Sequence, residues 1–165
     1  MRIRAASPFL TLAVGAVALT ACGSSSSKTI ETKDGKVTVN KNGKSVTIQG
    51  ENGNTATFGG AQVPAGFPSE VPLPKGLTLK SAAGGSQSNN KFFSLAFDLG
   101  STSAANAADA YKSQLADAGF TVSDSGSFGT GGASVHSVSA DGKGWRVAAS
   151  GLASKLFTLV VTSAN

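Results

Sequence analysis

The chain has 165 residues, a formal charge of +5, 40% hydrophobic residues and only 14% charged ones. That length holds one domain with at most a small extra module. A single cysteine excludes a disulfide within the chain, and no Lys/Arg run or basic stripe interleaved with aromatics supports nucleic-acid binding.

Arg2 and Arg4 precede an uncharged stretch of apolar and small residues, Phe9 to Ala21. It has the length of a signal h-region and falls short of the roughly 20 residues a membrane-spanning helix needs. It closes on Leu19-Thr20-Ala21-Cys22: a branched apolar residue, two small ones and the sole cysteine. These four residues resemble the bacterial lipobox. The resemblance implies cleavage before Cys22, a thioether from Cys22 to diacylglycerol, and a protein held by lipid (palmitate) chains on the extracytoplasmic face of the cell membrane. One acyl chain anchors marginally and two or more hold firmly. Without Arg2 and Arg4, 12 basic residues would face 9 acidic ones, a charge of about +3. That leaves a weak attraction to anionic lipid or cell-wall polymer.

Residues 22–28 (CGSSSSK) read as a flexible tether after the 1–21 signal peptide. Residues 29–60 are repetitive, with turn pairs Asp34-Gly35, Asn42-Gly43 and Asn52-Gly53. Between them Val37/Val39, Val46/Ile48 and Ala56/Phe58 alternate with polar residues. Asp-Gly and Asn-Gly suit type I′ turns, whose central residues need positive φ, so the pattern predicts a four-strand β-meander with one modest apolar face. Such a thin apolar set is not expected to stand alone. Pro64, Pro68, Pro72 and Pro74 oppose helix and sheet pairing, which predicts a linker over 61–75 and a domain boundary there.

The rest, 76–165, carries the predicted core. A strand begins at Leu77-Thr78-Leu79, and Gly84 to Asn90 reads as a polar turn. Phe93, Leu95, Phe97 and Leu99 alternate with Ser94, Ala96 and Asp98 as a strand. Ser103 is a suitable N-cap for a helix whose stripe is Ala104, Ala108, Tyr111, Leu115 and Ala118, with Gly119 ending it. Strands follow at about 120–123, 133–139, 145–150 and 156–162, with Asp141-Gly142 turning between two of them. Leu156 to Val161 is apolar on both faces, which predicts a central strand covered on both sides. The fold class expected is α+β: an antiparallel β-sheet with one packed α-helix in ββαββββ order, preceded by a small N-terminal β-meander.

Phe67-Pro68-Ser69-Glu70-Val71-Pro72-Leu73-Pro74-Lys75-Gly76 and Ala110-Tyr111-Lys112-Ser113-Gln114-Leu115-Ala116-Asp117-Ala118-Gly119-Phe120 together resemble a group of small envelope domains of bacterial lipoproteins. The shared features are an FPxxVPxPxG opening and a helix ending in YxxxLxxxGF. The resemblance covers about residues 67–165, and its motifs are structural, so it implies a fold and an envelope setting without catalytic residues.

No reactive constellation is complete in the sequence. Gly43-Lys44-Ser45 lacks the leading glycine of a P-loop, since position 38 is Thr. Gly129-Thr130-Gly131-Gly132 has Ser134 at the third fingerprint position. His136 is the only histidine, which excludes a multi-histidine metal site. A Ser-His-Asp triad with Asp98, Asp124 or Asp141 is arithmetically open, yet no Gly-x-Ser-x-Gly elbow occurs, and an exposed strand position is expected for His136. Trp145, beside Arg146, reads either as core with Val147 and Ala149 or, with Arg146, as a candidate partner contact.

The function expected is that of a lipid-anchored envelope or cell-surface protein acting by binding or as scaffold, not by catalysis. Its partners would be the membrane, through Cys22, and an envelope protein or cell-wall polymer; no nucleic acid, cofactor or metal is expected. One alternative is a carrier of an apolar or lipid ligand, motivated by Phe93, Phe97, Phe120, Trp145 and Phe157. A second alternative is a weak hydrolase.

Overall fold

The computed structural model describes residues 27–33, 35–40, 44–50, 53–129, 134–152 and 155–164. The 1–21 signal segment, Cys22, most of the tether and the residues Asp34, Asn42, Gly43 and Asn52 of the turn pairs lie outside them.

Ten antiparallel strands form one sheet. The first four are the expected meander: β1 (Lys28–Thr32), β2 (Gly35–Val39), β3 (Val46–Gly50) and β4 (Thr55–Phe58). Then come β5 (Thr78–Gln87), β6 (Asn90–Asp98), helix α1 (Ala104–Asp117), β7 (Thr121–Phe128), β8 (Val135–Gly142), β9 (Trp145–Leu152) and β10 (Leu156–Ser163). The spatial order is β1-β2-β3-β4-β5-β6-β10-β9-β8-β7. After β6 the chain crosses through α1 to the far edge, and three hairpins bring it back to place β10 beside β6. The α+β class and the ββαββββ order after the meander are as the sequence predicts.

The helix forms where the stripe and caps put it. Ser103, in extended conformation, accepts from the Asn106 amide, and Gly119 takes φ +82° just past the last turn. A Cβ there would be strained, so glycine closes the helix cheaply. Tyr111 and Leu115 are fully buried, with Ala107 and Ala108 beside them. The helix lies across β8 and β9, with β7 and β10 at its margins. Gly151 of β9 makes room for this: a Cβ on it would sit 2.9 Å from the Ala104 carbonyl oxygen. On the helix side of the sheet Phe97, Leu95, Phe157, Leu159, Val161, Val147, Ala149, Val138 and Ala140 are all buried.

Residues 61–75, read as a linker, are without helix or strand, as four prolines require. They lie on the helix side of the sheet and extend the core. Val71, Pro68 and Pro74 are buried, and the Phe67 ring meets the Phe93 ring edge-on at 5.4 Å. The Tyr111 hydroxyl donates to the Pro72 carbonyl at 2.9 Å. The backbone ladder also runs on across this stretch, since β4 pairs with β5 over Thr55–Phe58 and the Gly59 amide donates to the Ala82 carbonyl at 2.9 Å. The meander is the continuation of the main sheet.

Tyr111 gives a spectroscopic prediction. Burial pushes its phenol up from the ordinary value of 10.0, because ionisation would leave a charge in the core. The folded chain resists ionisation while the unfolded chain titrates near pH 10, so this contribution to stability is intact below pH 10 and declines above it. Tyr111 is the only tyrosine. Its phenolate absorption in alkaline titration is therefore expected to rise only together with loss of Trp145 fluorescence structure; a phenolate signal near pH 10 in the still-folded protein would contradict its burial.

Three local expectations are corrected. Gly84 and Gly85 belong to β5, and the turn is the two residues Ser88-Asn89, with Ser88 at φ +55°. The glycines answer a need for space: a Cβ on Gly84 would stand 2.7 Å from the Phe93 ring and 2.9 Å from Pro64. Asp141 and Gly142 are likewise the end of β8, and Lys143-Gly144, at φ +52° and +78°, makes the type I′ turn. Third, β10 is covered on one face only. Phe157, Leu159 and Val161 are fully buried under the helix, whereas Leu156 and Val160 are 41% and 39% exposed on the opposite side.

Candidate functional site: the open face of the sheet

Directly opposed residues of neighbouring strands share a face, so the register traces both sides of the sheet. On the side away from the helix one cross-strand row runs Val39, Val46, Phe58, Ala83, Ser94, Val160, Ala148. The next row runs Ile30, Val37, Ile48, Ala56, Gly85, Phe92, Thr162, Arg146. Among the described residues no helix crosses either row. Over β2 to β4 every non-glycine side chain on this face is apolar.

The apolar side therefore changes over between β4 and β5. In β6 and β8 to β10 the buried apolar residues turn toward the helix. In the meander the apolar residues turn away from it, and the helix side carries Thr29, Thr38, Thr47 and Thr57 instead. These hydroxyls bond in pairs, Thr29 with Thr38 at 3.2 Å and Thr47 with Thr57 at 3.1 Å. Among the described residues of β1 to β4 none reaches full burial; Phe58 is 47% exposed and Ile48 44%. Phe92 of β6 and Val160 of β10, also exposed, carry apolar side chains farther along the same face, with Ser94 between Ala83 and Val160; exposed apolar surface of this kind marks interaction sites when it is extensive.

The two candidate partner contacts do not come together. Trp145 turns to the helix side and packs against Phe93, ring centroids 6.1 Å apart, as the core alternative for it has it. Arg146 projects from the open face, where its Nε donates to the Asp141 carboxylate at 2.9 Å. The sheet stands between them. Their adjacency in sequence guarantees this, because successive strand residues point to opposite faces. Asp98 sits on the open face near the end of β6. The Gly100 amide and then the Lys80 ammonium, 3.0 Å away, hold its carboxyl below the usual carboxylate value.

His136 is half-buried on the helix side, opposite Ser127 and Gly151, and not on an exposed strand position as expected. Asp98 and Asp141 lie on the other face, so neither can orient its imidazole. Among the described residues no cluster of His, Cys, Asp and Glu is arranged to hold a metal, and no helix is long and apolar enough to cross a membrane. The aromatics that motivate a carrier are spent on the core: Phe93, Phe97, Phe120 and Phe157 are all buried. The recesses that do exist open at the surface. One of about 430 Å³ lies between Pro64–Gly66 and the hydroxyls of Thr47, Thr55 and Thr57. Another, of about 720 Å³, lies where the tether enters, lined by Ser27, Asn40, Lys44, Ser45, Gly59 and Gly60.

The exposed meander face is what sequence reasoning does not single out as a site. Its apolar pairs are readable, but the side they take relative to the helix is fixed by the β4–β5 register. The chain matches no family model, no curated protein and no solved structure.

Proposed function

We propose that this is a lipid-anchored protein of the extracytoplasmic face of a cell membrane, working by binding and not by catalysis. The observation that carries the reading is one of spacing. The apolar segment closes on Leu19-Thr20-Ala21-Cys22, and the first strand of the sheet begins at Lys28, six residues past that cysteine. A thioether-linked diacylglycerol on Cys22 would hold the folded sheet beside the bilayer on a tether of at most about 20 Å. Two or more acyl chains make such attachment firm, since each buried methylene contributes about 0.8 kcal/mol. The resemblance of residues 67–76 and 110–120 to envelope domains of lipoproteins supports the same setting, and the open apolar face supplies a surface for binding.

Intact-mass analysis of the protein extracted from membranes tests this. The expected product begins at Cys22 and carries the added diacylglyceryl mass. Cys22→Ser is expected to shift the protein from the membrane fraction to the soluble or uncleaved pool. An unmodified Cys22, or a Cys22→Ser chain retained in membranes after normal processing, would defeat the proposal.

A further inference from the structure

The meander exposes its apolar face beside the point where the chain joins its anchor, and the residues around that point have one sign of charge. The geometry points to an anionic lipid surface as the occupant of this face, so that β1 to β4 lie on the bilayer and add a second attachment to the acyl chains. The inference rests on the anchoring proposed above and goes beyond it, because an anchor alone leaves the orientation of the domain free.

Three observations favour lipid. The first is reach. Lys28 follows Cys22 by six residues, at most about 20 Å of extended chain, so the nearest large surface to the meander is the bilayer itself. The second is charge. Lys28 lies on the open face, opposite Val39, at the end of the meander where the tether enters. The chain between β2 and β3 adds Lys44 at that same end. Glu51 is the only carboxylate between Gly35 and Ser69 in the sequence, and Gly50, the residue before it, ends β3 away from Lys28. The recess of about 720 Å³ lined by Ser27, Asn40, Lys44, Ser45, Gly59 and Gly60 opens here too. Hydroxyl, amide and ammonium donors around a recess suit the phosphate of a lipid headgroup. The third is the face itself. Val37, Val39, Val46, Ile48 and Phe58 present apolar side chains with no charge among them, and the strand backbones behind them are paired, so contact with the acyl boundary strands no polar group. Lysines beside an apolar face are the composition of a surface that rests in the headgroup layer.

Site-directed labelling of the lipidated protein tests the placement. With Cys22 occupied by lipid, a cysteine introduced as Phe58→Cys or Thr57→Cys is the only thiol available for an environment-sensitive fluorophore. These adjacent positions face opposite sides of the sheet. The labelled proteins are reconstituted in vesicles of phosphatidylglycerol and phosphatidylcholine in equal parts, some carrying nitroxide lipid. The label at 58 is expected to shift to the blue and to be quenched several times more strongly than the label at 57. Pure phosphatidylcholine, or Lys28→Glu with Lys44→Glu, is expected to bring the label at 58 toward the level of 57. Ile48→Cys, on the same face, repeats the measurement at a second position, and unchanged Trp145 emission verifies that each variant is folded. Equal quenching at 57, 58 and 48 on a chain whose mass includes the anchor overturns the inference and leaves the anchoring intact. A cross-link from position 58 of one chain to position 58 of another, without quenching, gives the face to a second copy and also overturns it. An unmodified Cys22 in the mass spectrum removes the anchoring, and the inference falls with it.

Discussion

Phe157→Ala is expected to lower the stability of the domain by about 3–5 kcal/mol, the range for truncating a buried phenylalanine. Phe157 is fully buried and stands edge-on to Tyr111, ring centroids 5.7 Å apart. It is flanked by Phe97 of β6 and Gly151 of β9, so its ring fills space between the sheet and Tyr111 of the helix. Gly151 has no side chain to collapse into the hole, and Tyr111 is held by its bond to Pro72. The cavity would thus stay largely open, which puts the cost at the upper part of the range. Small domains hold only about 5–15 kcal/mol in total, so the variant should lose much of its margin. Urea unfolding followed by the single tryptophan measures this, with Phe157→Leu as a milder companion that keeps most of the volume. A midpoint for Phe157→Ala equal to that of the unsubstituted protein would mean that the ring is not in the core.

Gly85→Val is expected to unzip the meander while leaving the helix-covered part folded. Gly85 pairs with Ala56 of β4 and Phe92 of β6. A Cβ on it would collide with the Thr55 carbonyl oxygen and stand 3.0 Å from the Ala56 Cα. Both contacts are backbone, which cannot swing aside, so the β4–β5 ladder must part. Overpacking of this kind costs about 1–3 kcal/mol, or roughly ten- to a hundredfold in local opening. Without β5 the four strands are a thin sheet with one uncovered apolar face, and such sheets are marginal in water. Hydrogen exchange read strand by strand should therefore quicken across β1 to β4 and change little in β6, β9 and β10. Ser81→Val, on β5 beyond the reach of β4, serves as control. Uniform acceleration over all ten strands would show instead that meander and core unfold as one cooperative unit.

How far the sequence discloses this structure depends on the range of the interaction that decides each feature. The helix is legible from Ser103 to Gly119 because its signals are local: a cap, a stripe with a period near 3.6, and a glycine at positive φ. The alternation of Phe93, Leu95 and Phe97 is legible for the same reason. Gly84 and Gly85 mislead because glycine serves two needs. Turns use its conformational freedom, whereas here it leaves space for the Phe93 ring and the β4 backbone, neighbours that only the folded register supplies. The apolar run of β10 misleads differently. Leu156 and Val160 are apolar like Phe157 and Leu159, and only the position of α1 decides which set is covered. The candidate site follows that pattern. The meander's apolar pairs are readable in Val37/Val39 and Ala56/Phe58, but their turning away from the helix depends on which residue of β4 meets which residue of β5. Pairing Trp145 with Arg146 in one contact fails on the simplest rule of all, the alternation of strand side chains.

The last strand to be made is among the innermost in space. β10 lies between β6 and β9, and its Phe157, Leu159 and Val161 meet Phe97, Leu95 and Phe93 on one side and Gly151, Ala149 and Val147 on the other. While the polypeptide is synthesised, β6 and β9 have no hydrogen-bonding neighbour between them until residues 156–163 emerge. Contacts that span so much of the chain form slowly. The sheet is thereby kept from locking into its final form until nearly the whole polypeptide has been made, a timing written into strand order.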